Sequence, residues 1–173
     1  NKFTIKSQEA IQEAQKIAQG YGHQEIENSH ILQAIFEVDE NVTPFILKKL
    51  GINIDLLKQL ITKTLDSYAK VSGGDNVTLS RNASKMLSNA ENEAKNLKDE
   101  YVSIEHLLVG ILKTKDTTSQ ILKDQGVTEK NLKTAIEELR KGSKVNSQSA
   151  EDTYNSLNKY ARNLNQLAKD GKL

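Results

Sequence analysis

Apolar residues recur along this chain at steps of three and four positions, the spacing that places them on one face of an α-helix. Four such stripes occupy residues 5–18, 28–38, 44–50 and 55–68. Thr4 precedes the first stripe, where its hydroxyl can accept a hydrogen bond from an amide of the first helical turn. The pattern therefore predicts four consecutive helices, the first of them capped by Thr4.

The second half of the chain repeats the first. Five apolar or histidine positions return 76 residues later: Ala14, Ala18, His30, Leu32 and Ile35 recur as Ala90, Ala94, His106, Leu108 and Ile111. We expect two four-helix repeats, about 1–70 and 77–141, joined by the polar residues 72–76. Neither repeat is thick enough to bury its apolar faces alone. The two are therefore expected to pack as one pseudo-twofold domain, 1–141, with a groove at their seam.

The composition changes after residue 141. Residues 142–149 are polar and poor in large apolar side chains, which is typical of a flexible linker. Residues 150–173 then carry another helical stripe, made of Tyr154, Leu157, Tyr160, Ala161, Leu164, Leu167 and Ala168. The repeats offer no obvious surface that would cover this stripe. We therefore interpret the chain as a fragment whose last helix leads into a further module.

Charge and composition favour a soluble, all-α protein of the cytoplasm. Lys and Arg number 24 against 23 Asp and Glu, so nothing indicates the basic surface of a nucleic-acid-binding protein. The absence of cysteine excludes disulfides, cysteine–zinc sites and thiol catalysis. No apolar run reaches the roughly 18 residues of a membrane span, and the first residues lack the apolar region of a secretory signal. A single proline and abundant Lys, Glu, Leu and Ala favour helices.

Residues that could carry chemistry form no catalytic or metal-binding motif. Gly73 and Gly74 are not followed by the Lys-Ser/Thr pair of a phosphate-binding loop, so we expect no bound nucleotide and no cofactor. His23 lies in a glycine-rich loop and is expected to be exposed. His30 and His106 occupy equivalent positions near helix starts, which indicates capping or packing rather than metal binding. Without a nucleophile-elbow sequence, the Ser, His and Asp residues give little support for an enzyme.

Three carboxylates stand beside the second helix of the second repeat. Asp99, Glu100 and Glu105 flank the start of that helix, which Ser103 is expected to cap. On physical grounds they are solvated groups near a helix N-terminus, where the dipole favours negative charge by about 0.3–1 kcal/mol. By the same bottom-up reasoning, Met86 and Leu87 of the preceding helix are expected to belong to the core.

Two sets of motifs resemble a known family. The repeats share a pattern ending in His-(Leu/Ile)-Leu, which reads Ile-Glu-Asn-Ser-His-Ile-Leu at 26–32 and Val-Ser-Ile-Glu-His-Leu-Leu at 102–108. This pattern resembles the Clp N-terminal repeat domain of several ring-forming unfoldases. The tail is more specific. Val-Asn-Ser-Gln-Ser-Ala-Glu-Asp at 145–152, together with 157–164 and 168–173, resembles the linker and helix that lead into the first AAA+ module of ClpB-type disaggregases.

The resemblance implies a chaperone function. Rings of this family extract polypeptides from aggregates by threading them through a pore, driven by ATP and magnesium that bind in modules outside this sequence. The N-terminal domain engages exposed apolar segments of unfolded or aggregated proteins. Family positions associated with this role match Thr4, Leu87, Asp99 and Glu105, which are therefore expected to bind substrate.

The resemblance also implies an assembly. The parent protein is expected to be a hexamer and the isolated domain a monomer. Its expected partners are unfolded or aggregated polypeptides and the remainder of the ring. Binding to nucleic acid or to a membrane is not expected. Asn89 and His106 stand where some relatives have leucine, which makes the predicted groove less apolar. Two alternatives remain open: the domain of a Clp protease unfoldase that docks a folded adaptor, and a stand-alone enzyme.

Overall fold

The structure is a computed structural model that describes residues 2–71 and 76–154 of the chain. Its helices are α1 (Ile5–Tyr21), α2 (Asn28–Val38), α3 (Val42–Lys49), α4 (Ile54–Ser67), α5 (Arg81–Asn96), α6 (Ile104–Lys113), α7 (Thr117–Asp124) and α8 (Glu129–Arg140). Residues 150–154 are helical as well, and the remainder of the predicted last helix, 155–173, lies outside the described residues. The all-α prediction is confirmed.

Two short parallel pairings join the repeats at their seam. Strand β1 (Glu25–Ile26) pairs with β2 (Thr78–Leu79), so that Ile26 lies opposite Leu79. Phe3 forms an equivalent parallel bridge with Val102. Phe3 precedes Leu79 by 76 positions, as Ile26 precedes Val102, so the two contacts are copies related by the pseudo-twofold axis. Each repeat thus pairs its first residues with the loop before the second helix of the other repeat.

Side-chain caps fix where the helices begin. Thr4 Oγ1 accepts the Ser7 N–H at 3.1 Å, which confirms the cap predicted for α1. In α3, the Asp39 carboxylate accepts the N–H groups of Val42 at 3.1 Å and Thr43 at 2.6 Å. The first amides of a helix have no partner within the helix, and this carboxylate accepts hydrogen bonds from two of them. Helix α3 therefore begins at Val42, two residues before its apolar stripe at 44–50.

Helix α6 lies at the centre of the domain. All residues from Ile104 to Leu112 are buried, and the helix contacts α1, α2, α3, α5, α7 and α8. It crosses α5 so closely that a Cβ on Gly110 would lie 2.7 Å from the Met86 carbonyl oxygen and 3.1 Å from Ala90 Cβ. Since interiors are close-packed, Gly110 sets the distance between these two helices.

The segment after α8 packs against the repeats, although its composition predicted a flexible linker over 142–149. Val145, Ala150 and Tyr154 are all buried. Tyr154 belongs to the stripe that the repeats were expected to leave uncovered. Val145 and Ala150 are small and widely spaced within polar sequence, so they produce no periodic signal of burial. The packed body therefore extends at least to residue 154.

Replacing Gly110 with alanine should destabilise the fold by about 1–3 kcal/mol, because the added methyl group forces α5 and α6 apart. Gly20→Ala in α1 is the matched control. Nothing lies within 4 Å of the position of its Cβ, so alanine should instead stabilise the helix by up to about 1 kcal/mol. Urea unfolding followed by circular dichroism measures both changes. Equal unfolding free energies for G110A and the wild type would show that the crossing is not tight.

Candidate functional site

Three of the four predicted site residues lie together in the interior. Thr4 and Glu105 are fully buried, and the Asp99 side chain has no exposed surface. They belong to a set that we call the polar cluster: Thr4, Asp99, Glu105, His106, Arg140 and Glu151. Leu87 is separate from it, half-buried on α5 and packed against the hydrophobic core as the apolar pattern suggested.

Arg140 pairs with two carboxylates at the end of α8. Its Nε donates to Glu105 Oε2 at 3.0 Å, and its Nη1 donates to Asp99 Oδ2 at 2.8 Å. The expectation that Asp99 and Glu105 are solvated beside a helix N-terminus is therefore wrong. Buried carboxylates need an ionic partner, and Arg140 lies 41 residues after Asp99 and 35 after Glu105, too far for a local pattern to link them.

His106 joins Asp99 to the start of α6. Its Nδ1 accepts the backbone N–H of Ser103 at 2.8 Å, so Nε2 carries the ring proton and donates to Asp99 Oδ2 at 2.8 Å. Nη2 of Arg140 lies 3.1 Å from the same Nε2. Because both nitrogens are donors, this is a contact and not a hydrogen bond. The capping role predicted for His106 is confirmed.

Asp99 stays ionised within this network. Burial alone would raise its pKa, but hydrogen bonds from His106 and from the Val145 N–H, together with the Arg140 cation, lower the pKa of Asp99 to about 2. The carboxylate therefore carries its charge at every pH near neutrality. It holds the His106 tautomer and orients the Arg140 guanidinium.

The first repeat has the same hydrogen bond with different chemistry. His30 and His23 stand 76 positions before His106 and Asp99. The Glu27 N–H donates to His30 Nδ1 at 2.8 Å, so His30 Nε2 donates to His23 Nδ1 at 2.7 Å. The capping role predicted for His30 is confirmed. Burial, together with His23, lowers the pKa of His30 to about 4, which keeps His30 neutral at pH 7.

His23 is buried, and the expectation of exposure is wrong. Its ring stacks on Tyr21 with centroids 5.1 Å apart and meets Tyr68 edge-on at 5.4 Å. Gly22 caps the end of α1 with φ at 74°, a left-handed conformation that turns the chain back toward the domain. The glycine therefore ends a helix, and His23, which follows it, is turned into the domain.

Residues 144–154, which we call the strap, cross the polar cluster. The Val145 N–H donates to Asp99 Oδ1 at 3.0 Å, and the Glu100 N–H donates to the Val145 carbonyl at 2.8 Å. Further along, the Ile5 N–H donates to the Gln148 carbonyl at 2.9 Å. The strap is thus hydrogen-bonded both to the loop before α6 and to the first turn of α1.

Glu151 is the buried anchor of the strap. Its Oε2 accepts from Thr4 Oγ1 at 2.6 Å and from the Ile104 N–H at 3.1 Å. Thr4 therefore caps α1 and holds the strap with one hydroxyl. Burial raises the pKa of Glu151 to about 7; the nearby Glu105 acts in the same direction, and the Thr4 hydrogen bond acts against it.

A groove of about 230 Å³ opens beside the polar cluster, between α5, α8 and the start of the strap. Leu97 and Ile136 supply apolar walls, and Lys144 belongs to the rim. Arg140 lines the groove and also belongs to the polar cluster. The two predicted carboxylates therefore touch the groove through Arg140, without being exposed in it.

Glu93 and Arg140 are groove residues that sequence reasoning missed. Glu93 is buried, and its carboxylate accepts no hydrogen bond from the part of the protein that the structure describes; the Lys133 ammonium lies 3.7 Å from its Oε1. A signal for both was available. Glu93 falls three positions after the buried Ala90, and Arg140 falls four after the buried Ile136, so both are charged residues on an apolar stripe.

Other features of the described ranges do not compete with this groove. No group of three or more His, Asp or Glu side chains there is arranged to hold a metal ion. No helix within 2–71 or 76–154 is long and apolar enough to cross a membrane. A hollow of about 460 Å³ beside Lys113, Lys115 and Lys123 contains none of the four predicted residues. We therefore take the groove and the adjoining polar cluster as the candidate site.

Known proteins match the chain over its whole length. The family described as the Clp repeat (R) N-terminal domain matches residues 2–125. Over 173 residues the chain is 53% identical to the chaperone protein ClpB of Bacteroides thetaiotaomicron and 46% identical to that of Porphyromonas gingivalis. Each match includes 100% of this chain and 20% of the relative, so the chain spans about a fifth of the length of these proteins.

Solved structures share the fold. The Hsp104 N-terminal domain from Candida albicans matches with a TM-score of 0.77 at 21% identity, covering 87% of this chain and 99% of that one. The N-terminal domain of the caseinolytic protease associated chaperone ClpD from Arabidopsis thaliana matches with a TM-score of 0.60 at 23% identity, covering 78% and 94%. At such identities the likeness establishes the fold alone.

Glu151→Gln should remove a pH dependence of stability. The pKa of Glu151, about 7 in the folded protein, lies above its ordinary value of 4.5. The carboxyl group therefore contributes its full stability below pH 4.5 and loses it as the pH rises through 7. Glutamine cannot ionise, so E151Q should gain up to about 3 kcal/mol relative to the wild type between pH 4.5 and 8. Urea unfolding at a series of pH values measures this; a difference that stays constant would contradict it.

Proposed function

Because the chain belongs to the Clp repeat N-terminal domain family, we propose that it binds exposed apolar segments of unfolded or aggregated polypeptides and delivers them to an ATP-driven threading ring. The observation that carries this proposal is the open groove, whose walls are Leu97 and Ile136 and whose rim is charged. Similarity to proteins named chaperone protein ClpB along the full chain supports the same role.

The groove suits weak and general binding. Misfolded chains have little in common except exposed apolar side chains, and a groove of about 230 Å³ takes few of them at once. Burying one leucine-sized side chain contributes about 1.5–3 kcal/mol, and much of that is offset by the ordering of the bound segment. The resulting affinity is low enough that the segment can be passed on to a pore.

The ring would supply the steps that this domain does not. We propose a hexameric cytoplasmic parent whose other modules bind ATP and magnesium, with this domain attached as a substrate-collecting accessory. Attachment raises the effective concentration of captured chains near the pore. No role is proposed for nucleic acid or for a membrane. In isolation the domain should be a monomer.

The four predicted substrate residues would then act in different ways. Asp99 and Glu105 fix the position of Arg140 in the groove, and Thr4 anchors the strap that borders it. Leu87 lies on α5, ten residues before Leu97 at the C-terminal cap of that helix, about 15 Å along its axis, and would extend the apolar surface. Asp99, Glu105 and Thr4 would thus position the residues that line the site without contacting the substrate. Leu87 and Leu97 would contact it.

Leu97→Ser should weaken binding of a permanently unfolded model protein about 3- to 10-fold, because it removes apolar surface from the groove wall. Leu56→Ser is the matched control, since Leu56 is an exposed leucine on α4, away from the groove. The affinity would be measured by NMR titration, with a folded protein as a negative control. Leu87→Ser tests whether the surface extends along α5.

Each result of this titration has a definite meaning. Chemical-shift changes around Leu97, Ile136 and Arg140 with the unfolded chain alone support the proposal. Equal weakening by L97S and L56S would contradict the groove assignment. Binding to one folded partner and not to unfolded chains would indicate the adaptor-docking domain of a Clp protease unfoldase.

A further inference from the structure

We propose that the strap, residues 144–154, is a releasable ligand of its own domain, and that its release opens the groove and uncovers the polar cluster. The first half of this proposal concerns the strap alone. The second half rests on the proposed function, because it assigns to the released state the binding of an extended polypeptide in place of the strap.

The first residues of the strap are bound through their main chain, as a peptide ligand is bound. Both backbone groups of Val145 are used, the N–H by Asp99 and the carbonyl by Glu100. Three residues later the Gln148 carbonyl accepts the Ile5 N–H. The Val145 side chain is completely buried between these contacts. In peptide recognition of this kind, main-chain hydrogen bonds supply the affinity, and the pocket for a side chain supplies the specificity.

Electrostatics make this docking reversible. Arg140 already faces Asp99 and Glu105, and the docked Glu151 places a third carboxyl group in the same interior. Within the described residues, one oxygen of Glu105 and one of Glu151 are buried without a hydrogen bond. Release of the strap hydrates both groups, and this gain opposes the contacts that hold the strap down.

Release also changes the groove. Gly142, Ser143 and Lys144 line it, and the Lys144 ammonium donates to the Leu97 carbonyl at 2.9 Å. When the strap leaves, Lys144 is withdrawn from this wall, and Thr4 and the cluster carboxylates become accessible. The released site then offers the same backbone partners and the same pocket to an incoming segment. That segment should have the chemistry of the strap, a small aliphatic residue followed by a carboxylate.

Hydrogen exchange tests the reversible docking. In the wild type, the Glu100, Val145, Ile5 and Ile104 amides should be protected, but should exchange at least tenfold faster than amides in the middle of α6. Val145→Asp puts a charge beside Asp99 and should speed exchange at Glu100 and Ile5 about tenfold or more, with α6 unchanged. Asn146→Asp is the matched control, an equal charge change at the exposed neighbour, and should have little effect.

Glu151→Gln should have the opposite effect on hydrogen exchange to Val145→Asp. At pH 8 it should slow exchange of the strap-dependent amides, because it removes the third carboxylate and retains an acceptor for Thr4 and Ile104. If these amides exchange together with α6 in every variant, the strap opens only when the domain unfolds, and the proposal is overturned.

Binding in trans tests the vacated site. A synthetic peptide with the sequence of residues 144–154 should bind V145D at least tenfold more tightly than it binds the wild type or N146D. The same peptide carrying V145D should not bind. An unfolded model protein should compete with the wild-type peptide on the V145D domain. Peptide binding without this competition would support a releasable strap and contradict the binding of substrate in its place. If the peptide does not bind V145D, release of the strap leaves no binding site, and the proposal is wrong.

Discussion

One buried guanidinium determines how the second repeat closes. Arg140 ends α8, and its ion pairs hold that end against Asp99 in the loop before α6 and against Glu105 in α6 itself. Asp99 in turn orients His106 and receives the strap through Val145. Removing the cation would leave buried carboxylates facing each other, which is far more costly than losing an exposed pair. The helix end, the loop and the strap therefore depend on one side chain.

The two repeats share a backbone frame and differ in charge. The bond that links a loop residue to the helix-capping histidine is neutral in the first repeat, His23 with His30, and ionic in the second, Asp99 with His106. The first repeat closes around aromatic rings, and the second around ions. Duplication supplied the frame, whereas the groove and the strap lie beside the copy that carries the charges.

What could be predicted from the sequence follows from the range of the interactions. Helices, the Thr4 cap and the histidine caps depend on neighbours within one turn, so periodicity and spacing indicate them. The burial of Asp99 and Glu105 depends on Arg140, and the burial of Val145 depends on a surface far away along the chain. Composition assigned 142–149 to a linker because its polar residues dominate, and the burial of one valine within it, Val145, leaves no trace in that composition.

The hydrogen bond between the Ile5 N–H and the Gln148 carbonyl places the beginning of the first repeat next to the end of the second. The polypeptide thus enters and leaves the folded body at one spot. A body whose two ends lie together can be attached to a partner at one side, which leaves the opposite surfaces free for contacts. In the release that we propose, the last point of the described chain fixed to the body would move from the strap back to the end of α8.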